Sequence, residues 1–275
     1  MTDRPRLIVS DLDGTFLDPL GRVTQTNRDA VHDAVAAGIE VIFATGRPPR
    51  WLDVIADLPV GHPLVIASNG ALLWDLADQA PIRSHPIDPE LALSVMSDVR
   101  KVLPEVTFAI EGGLRFGYEP AYDWYGEVPG GDRYFPASGT ELVTTVPFVK
   151  MLVQHLTMPS EPLAQAASEI IGDALQVTHS SFHDTIGLLE LSAPGVTKAS
   201  MLQEWCQEKG IDAADVAAFG DMPNDLEMLG WVGQPHIMGE SHPSLEHVVG
   251  ATGQPAVRVG SNAESAVGRR IHTWL

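Results

Sequence analysis

A single cysteine in 275 residues, Cys206, is too few for an internal disulfide or a multi-cysteine metal site, so it is read as a small buried hydrophobe in a reducing compartment. Basic residues are also scarce. Seventeen Lys and Arg stand against 36 Asp and Glu, and the net charge of -19 would repel a phosphate backbone over most of the surface, which argues against nucleic acid as a partner. No apolar run approaches the roughly 18 residues of a spanning helix. The opening MTDRPRLIVSDLDG reaches acidic residues too soon to hold the apolar core of a signal peptide, so a cytoplasmic location with no membrane partner is expected. Repeats, low-complexity tracts, a Gly-x-Gly-x-x-Gly fingerprint and a Walker sequence are missing, which leaves dinucleotide and P-loop readings without support.

The rest of the composition is that of an ordinary globular chain, 44% hydrophobic and 19% charged. At roughly 150 residues per domain, its length allows one large domain or two moderate ones. Leu7 to Val9 is a short apolar run that fits a buried parallel strand, with Asp11 just past its end. A helix is expected from Thr26, with Ala30, Val31, Ala34 and Val35 on one face and Gly38 closing it; strands follow at 39–44 and 64–67. This alternation predicts an α/β fold, a doubly wound, Rossmann-like parallel sheet with helices on both faces, in which ligands bind at the carboxyl ends of the strands.

Between about 84 and 186 the pattern changes. Asp88-Pro89 opens a helix that Pro104 stops, 106–118 reads as a hairpin around Glu111-Gly112-Gly113, and further strands and a helix follow. This predicts an inserted α+β module over 84–186, with the first domain occupying 1–83 and 187–275. Seven of the chain's eighteen aromatics, including all four tyrosines, fall between Phe116 and Phe135. They are read as the local core of the module, with a substrate-facing wall that includes Trp124 and Tyr125 as the alternative. His179 and His183 have metal-like spacing but are read as surface or packing residues. From Val196 the first pattern returns. Thr197 caps a helix that Gly210 ends, and the strand Val216 to Phe219 runs into Gly220-Asp221-Met222-Pro223-Asn224-Asp225.

Asp11-Leu12-Asp13-Gly14-Thr15 sets two carboxylates two residues apart just past a strand, with a glycine that permits a sharp turn. Alone, that is an acidic turn. Thr45 at a strand end, Lys198 at a helix start and the pair Asp221 and Asp225 each have an equally plain explanation. Together they occupy the carboxyl ends of three strands and one helix start of the proposed sheet, where a site would form.

In these motifs the sequence resembles the haloacid dehalogenase superfamily of phosphohydrolases. Ala44-Thr45-Gly46-Arg47, Ser68-Asn69-Gly70-Ala71 and the long insertion resemble its Cof-type (class IIB) branch, whose insertion is a cap. The resemblance implies Asp11 as nucleophile, Asp13 as general acid and base, and Thr45, Lys198 and Asn224 as phosphate binders. It implies a magnesium ion held by Asp11, the backbone carbonyl of Asp13, and Asp221, with Asp225 steadying the metal's waters. Gly46, Arg47 and Asn69 become candidate substrate contacts. A phosphomonoester dianion approaching four aspartates needs a divalent cation and Lys198 to offset repulsion, and an all-oxygen shell suits magnesium. The implied function is a phosphatase for a small soluble phosphomonoester, by way of an aspartyl phosphate. Alternatives are a phosphomutase of the same fold and a non-enzymatic, receiver-like phosphoacceptor. Oligomeric state is not legible in the residues.

Overall fold

The computed structural model describes residues 4–58, 64–124, 131–179 and 186–275. The chain divides into two compact units, one made of 1–83 with 197–275 and the other of 84–196.

The first half of the first unit contains β1 (Leu7–Ser10), α1 (Gln25–Ala36), β2 (Glu40–Ala44), β3 (Leu64–Ala67), β4 (Leu72–Asp75) and β5 (Ala80–Ser84). Every residue of β1 and β3 is buried, as parallel strands covered on both faces require. Thr24 caps α1 by accepting from the Asn27 N–H.

The inserted unit contains α2 (Pro89–Val102), β6 (Thr107–Glu111), β7 (Phe116–Tyr118), β8 (Tyr134–Pro136), α3 (Gly139–Thr144), β9 (Lys150–His155), α4 (Ser160–Ile171), β10 (Gln176–His179) and β11 (Gly187–Ser192). Asp88 caps α2 through the N–H groups of Glu90 and Leu91, with Pro89 at the first helical position, where no N–H is needed. The six strands form one sheet in the order β10-β11-β9-β6-β7-β8, antiparallel except where β7 meets β8. Val95, Val99, Phe108, Met151, Val153 and Leu163 belong to one apolar core between helices and sheet.

The chain then returns to the first unit with α5 (Lys198–Lys209), β12 (Val216–Gly220), α6 (Leu226–Trp231), β13 (Gln234–Ile237), β14 (Val257–Arg258) and α7 (Ala266–His272). Its eight-stranded sheet has the order β14-β13-β12-β1-β2-β3-β4-β5. The run from β14 to β3 is parallel, and β4 turns back antiparallel on β3. Leu7, Val9, Ile42, Ile66, Leu202, Trp205 and Ala218 share its core, and Cys206 is buried there, its thiol pushed up to about 12 by burial and by the charge of Glu40.

The expected return to the first unit at 187 moves to 197. The strand Gly187–Ser192 pairs with β9 and β10 in the inserted sheet, and an apolar run of that length does not reveal which sheet it joins. Tyr125 and His183 lie outside the described residues. Among the described residues, no helix is long and apolar enough to cross a membrane.

Candidate active site

β1, β2 and β12 run side by side, so the residues just past their carboxyl ends are neighbours: Asp11, Thr45 and Asp221. The backbone N–H of Asp11 continues the ladder by donating to the Phe219 carbonyl at 3.0 Å. Beyond Asp11 the chain coils into a short turn closed by Leu17 N–H on the Leu12 carbonyl at 2.9 Å. Gly14 has φ +78 in that turn, and a Cβ there would lie 2.3 Å from Asp221 Oδ2, so only glycine lets the turn pass the carboxylate.

Lys198 is the first residue of α5 and is placed by a cap in which Thr197 and Ser200 exchange hydrogen bonds. It is 1% exposed. Its ammonium donates to Asp11 Oδ1 at 2.6 Å and to Asp225 Oδ1 at 2.8 Å. Asp225, fully buried, accepts through its other oxygen from the N–H groups of Asp221 and Met222, both at 3.1 Å. Asp221, half-buried, accepts from Thr15 Oγ1 at 2.6 Å. Carboxylate oxygens of Asp11, Asp221 and Asp225 lie within 4.8 Å of one another.

This arrangement is electrostatically unbalanced. Burial pushes the Asp11 carboxyl well above its ordinary range against the pull of Lys198, and the charges of Asp225 and Asp221 push it further. Asp221 is pushed up to about 6, chiefly by burial, against the hydrogen bond from Thr15. Burial also opposes the charge on Lys198, but Asp11 and Asp225 outweigh it and hold the ammonium above its ordinary range. Three carboxylates thus cluster where one buried lysine pairs with only two of them. A divalent cation would relieve the excess, and donors that are all carboxylate oxygens suit a hard ion such as magnesium, so the residues fit the metal the motifs imply.

The side chain of Asp13 is not part of that cluster. It turns to Arg47, whose Nε and Nη2 donate to its two oxygens at 2.7 and 2.6 Å, while Nη1 donates to the Trp51 carbonyl at 3.3 Å. Thr45 is buried; its Oγ1 accepts from the Arg47 N–H at 3.1 Å, which leaves its own proton to donate. The segment Ser68-Asn69-Gly70 is stitched to this strand end by Ser68 N–H on the Arg47 carbonyl and Asn69 N–H on the Thr45 carbonyl, both at 3.0 Å. Gly46 lies close beneath it, since a Cβ there would be 3.1 Å from Asn69 Oδ1. Gly70 has φ +99, and a Cβ would fall 2.0 Å from the Thr197 carbonyl, so glycine seats this segment against the cap of α5. Asn224 donates to Asn69 Oδ1 at 3.0 Å, which joins the segment after β12 to the one after β3.

Asp11, Thr45, Lys198, Asp221, Asn224 and Asp225 therefore converge at one end of the first sheet. Sequence reasoning gave Thr15 no role, although it belongs to the quoted motif and its hydroxyl orients Asp221. Ser68 was quoted with its motif but given no role of its own: its hydroxyl is buried with no partner among the described residues, at φ +52. Trp124 lies in the inserted unit, edge-on to Phe116, Tyr118, Tyr122 and Tyr134 at centroid distances of 5.1, 5.0, 5.5 and 5.6 Å. That is a packing role.

A model of the haloacid dehalogenase-like hydrolase family matches residues 8–254. A Haemophilus influenzae protein described as a candidate phosphatase is 28% identical over 279 residues, spanning 98% of this chain and 96% of that one. The HMP-PP phosphatase of Cronobacter sakazakii is 27% identical over 249 residues, 87% of this chain and 86% of its own. Among solved structures, a HAD subclass IIB sugar phosphatase has the same fold, with a TM-score of 0.74 at 17% identity across 98% of both chains. A match that runs through both halves of the first unit and the whole insertion leaves a receiver module without support: the chain belongs to the haloacid dehalogenase-like hydrolases.

Proposed function

We propose that the protein is a magnesium-dependent phosphatase that hydrolyses a small soluble phosphomonoester through a phosphoaspartate at Asp11. The observation that carries this reading is the convergence of Asp11, Asp221 and Asp225 within 4.8 Å at the carboxyl ends of β1 and β12, two of them paired with the buried ammonium of Lys198. Asp11 and Asp221 would hold the metal with the backbone carbonyl of Asp13, and Asp225 would steady the metal's waters. When bound, the ion supplies positive charge to the phosphoryl oxygens and keeps the nucleophile ionised.

The remaining work falls to the chain's own groups. An ammonium has three donors and Lys198 spends two on Asp11 and Asp225, so the third is left for a phosphoryl oxygen. Thr45 donates its hydroxyl proton to another, and Asn224 offers the second N–H of its amide. Asp11 attacks phosphorus in line, forming its P–O bond as the bond to the leaving alkoxide breaks, and Asp13 gives that alkoxide its proton. To do so Asp13 must leave the Arg47 fork. In the second half Asp13 takes a proton from the water that attacks phosphorus, which frees Asp11 and inorganic phosphate. The inserted unit acts as the cap that selects among leaving groups, and a relative named for HMP-PP supports a small phosphate compound as substrate.

The test is turnover of a panel of sugar phosphates, nucleotides, flavin mononucleotide, pyridoxal phosphate and phosphoglycolate in ¹⁸O-labelled water. Hydrolysis puts label into free phosphate, whereas a phosphomutase isomerises a sugar phosphate without it. Asp11→Asn abolishes turnover, and so does chelation until magnesium is restored. Full activity in either condition refutes the mechanism.

A further inference from the structure

A cavity of about 280 Å³ opens elsewhere in the first unit, lined by Ala214, Gly233, Gln234, Thr252, Gln254, Arg270, Thr273 and Trp274. Ala214 precedes β12 and Gln234 begins β13, so the cavity sits at the amino ends of these parallel strands, whereas Asp221 follows the carboxyl end of β12. Five residues of β12, on the order of 16 Å at about 3.3 Å each, separate the two.

Its chemistry centres on Arg270. The Nε–H donates to His236 Nε2 at 3.0 Å, an Nη1–H to Thr273 Oγ1 at 3.2 Å, and the guanidinium lies 4.8 Å from the Trp274 ring centroid. No carboxylate pairs with it among the described residues, although acids outnumber bases 36 to 17 in this chain. His236 cannot supply negative charge and is no competing cation. It is buried, stacked on Phe219 at 4.7 Å and edge-on to Trp274 at 5.4 Å, and its pKa is pulled down to about 4 by burial and by Arg270, so near neutrality it is an uncharged acceptor. Burial likewise pulls Arg270 below the usual guanidinium range with nothing to offset it. The side chain is thus held rigidly from one side, while its terminal nitrogens keep N–H donors to spare. Around it stand two glutamine amides, from Gln234 and Gln254, and the hydroxyls of Thr252 and Thr273.

We propose that this cavity is a second binding site, for a small metabolite carrying an oxyanion, phosphate or carboxylate, that Arg270 grips with its free guanidinium edge. A fixed guanidinium matches both groups through paired N–H donors. The volume lies at the low end for ligand pockets and suits a compact metabolite rather than a nucleotide. The Gln254 amide can donate to a remaining oxygen, whereas the Thr252 and Thr273 hydroxyls already donate to the Gly233 and Arg270 carbonyls and only line the cavity, and the anion supplies the countercharge that the chain does not provide.

The site is tested by titrating the protein with inorganic phosphate and, separately, with succinate. Ionic strength is held constant with chloride, and the assigned indole N–H of Trp274 is followed by ¹⁵N–¹H spectra. Saturable shifts are expected with at least one probe, and the probe that saturates identifies the anion class. Arg270→Gln abolishes saturation. Because that variant also loses the contacts to His236 and Trp274, the deciding variant is Gln254→Glu at an exposed position, which places a carboxylate across the cavity from the guanidinium. It should weaken binding at least ten-fold while the wild-type spectrum is otherwise kept. Shifts that stay linear with both probes, or saturation that Gln254→Glu leaves unchanged, overturn the proposal.

Discussion

Lys198→Met gives the sharpest test of how the site is held together, because it keeps most of the side-chain volume and removes only the charge that two buried carboxylates share. Asp11 is 5% exposed and Asp225 0%. Removing one partner of a buried ion pair costs about 3–5 kcal/mol because the other charge is stranded. With two carboxylates stranded, the loss at pH 8 should lie near the upper value, about 5 kcal/mol, a large part of the roughly 5–15 kcal/mol that stabilises a typical fold. The pH dependence separates this cause from a packing defect. Asp11 already has a raised folded-state pKa, so its favourable contribution is greatest in acid and is lost as pH rises through that value. Without Lys198 that pKa rises further. In wild type the lysine's own contribution, with a folded pKa above 10.5, is complete throughout pH 4–8. The penalty of Lys198→Met should therefore shrink to about 1 kcal/mol near pH 4, the scale of the lost hydrogen bonds. Urea unfolding in chelator at pH 4 and pH 8 measures both ends, with metal excluded because a cation would replace the ammonium. Adding Asp11→Asn should recover about 2 kcal/mol at pH 8 by removing one stranded charge. A penalty equal at both pH values, or below about 1 kcal/mol at pH 8, refutes the account.

Asp13→Asn should slow cleavage of an alkyl phosphate by about 10²- to 10⁴-fold, while an aryl phosphate still phosphorylates Asp11 and releases one burst of phenol; equal loss without a burst in rapid quench makes Asp13 structural only. Asp221 has a folded pKa of about 6 against 3.8, so in metal-free protein its stability contribution is full below 3.8 and lost as pH rises through about 6. The same proton competes with the metal, so calorimetric magnesium affinity should fall by roughly ten-fold per pH unit below about 6, and a flat profile counts against Asp221 as a ligand. Trp124→Ala, which removes four ring contacts, should destabilise the inserted unit by on the order of 2 kcal/mol and lower turnover of all substrates alike. A changed substrate ranking with an unchanged melting point would favour the substrate-wall reading.

What was legible in the sequence was what short-range physics dictates. Leu7 to Val9 is apolar because its strand is covered on both faces, and the caps at Asp88 and Thr197 follow from side chains that can satisfy free N–H groups. β13 went unread because Gln-Pro-His-Ile has neither apolar continuity nor alternation. Its buried histidine is held by contacts with Phe219, Trp274 and Arg270 that lie distant in sequence. β5 was missed for the opposite reason: Ala80–Ser84 is largely exposed at the sheet edge and carries no burial pattern to read.

The site shows the same division between what a residue type dictates and what only the fold can decide. A carboxylate past a strand end is by itself an acidic turn, so Asp11 and Asp221 could be named only because their motifs occur together with Thr45 and Lys198 and resemble a known family. Whether the next acid joins the cluster depends on which cation reaches it. Asp225 is drawn in by Lys198, 27 positions away, and by two backbone N–H groups. Asp13, two residues from Asp11, is drawn out by Arg47, 34 positions away. Two aspartates in one short motif thus meet opposite electrostatic environments, one desolvated against a buried ammonium and one exposed in a guanidinium fork. The roles proposed above therefore need two changes from this arrangement: the metal has to keep Asp11 ionised against its desolvation, and Asp13 has to leave the fork to carry a proton.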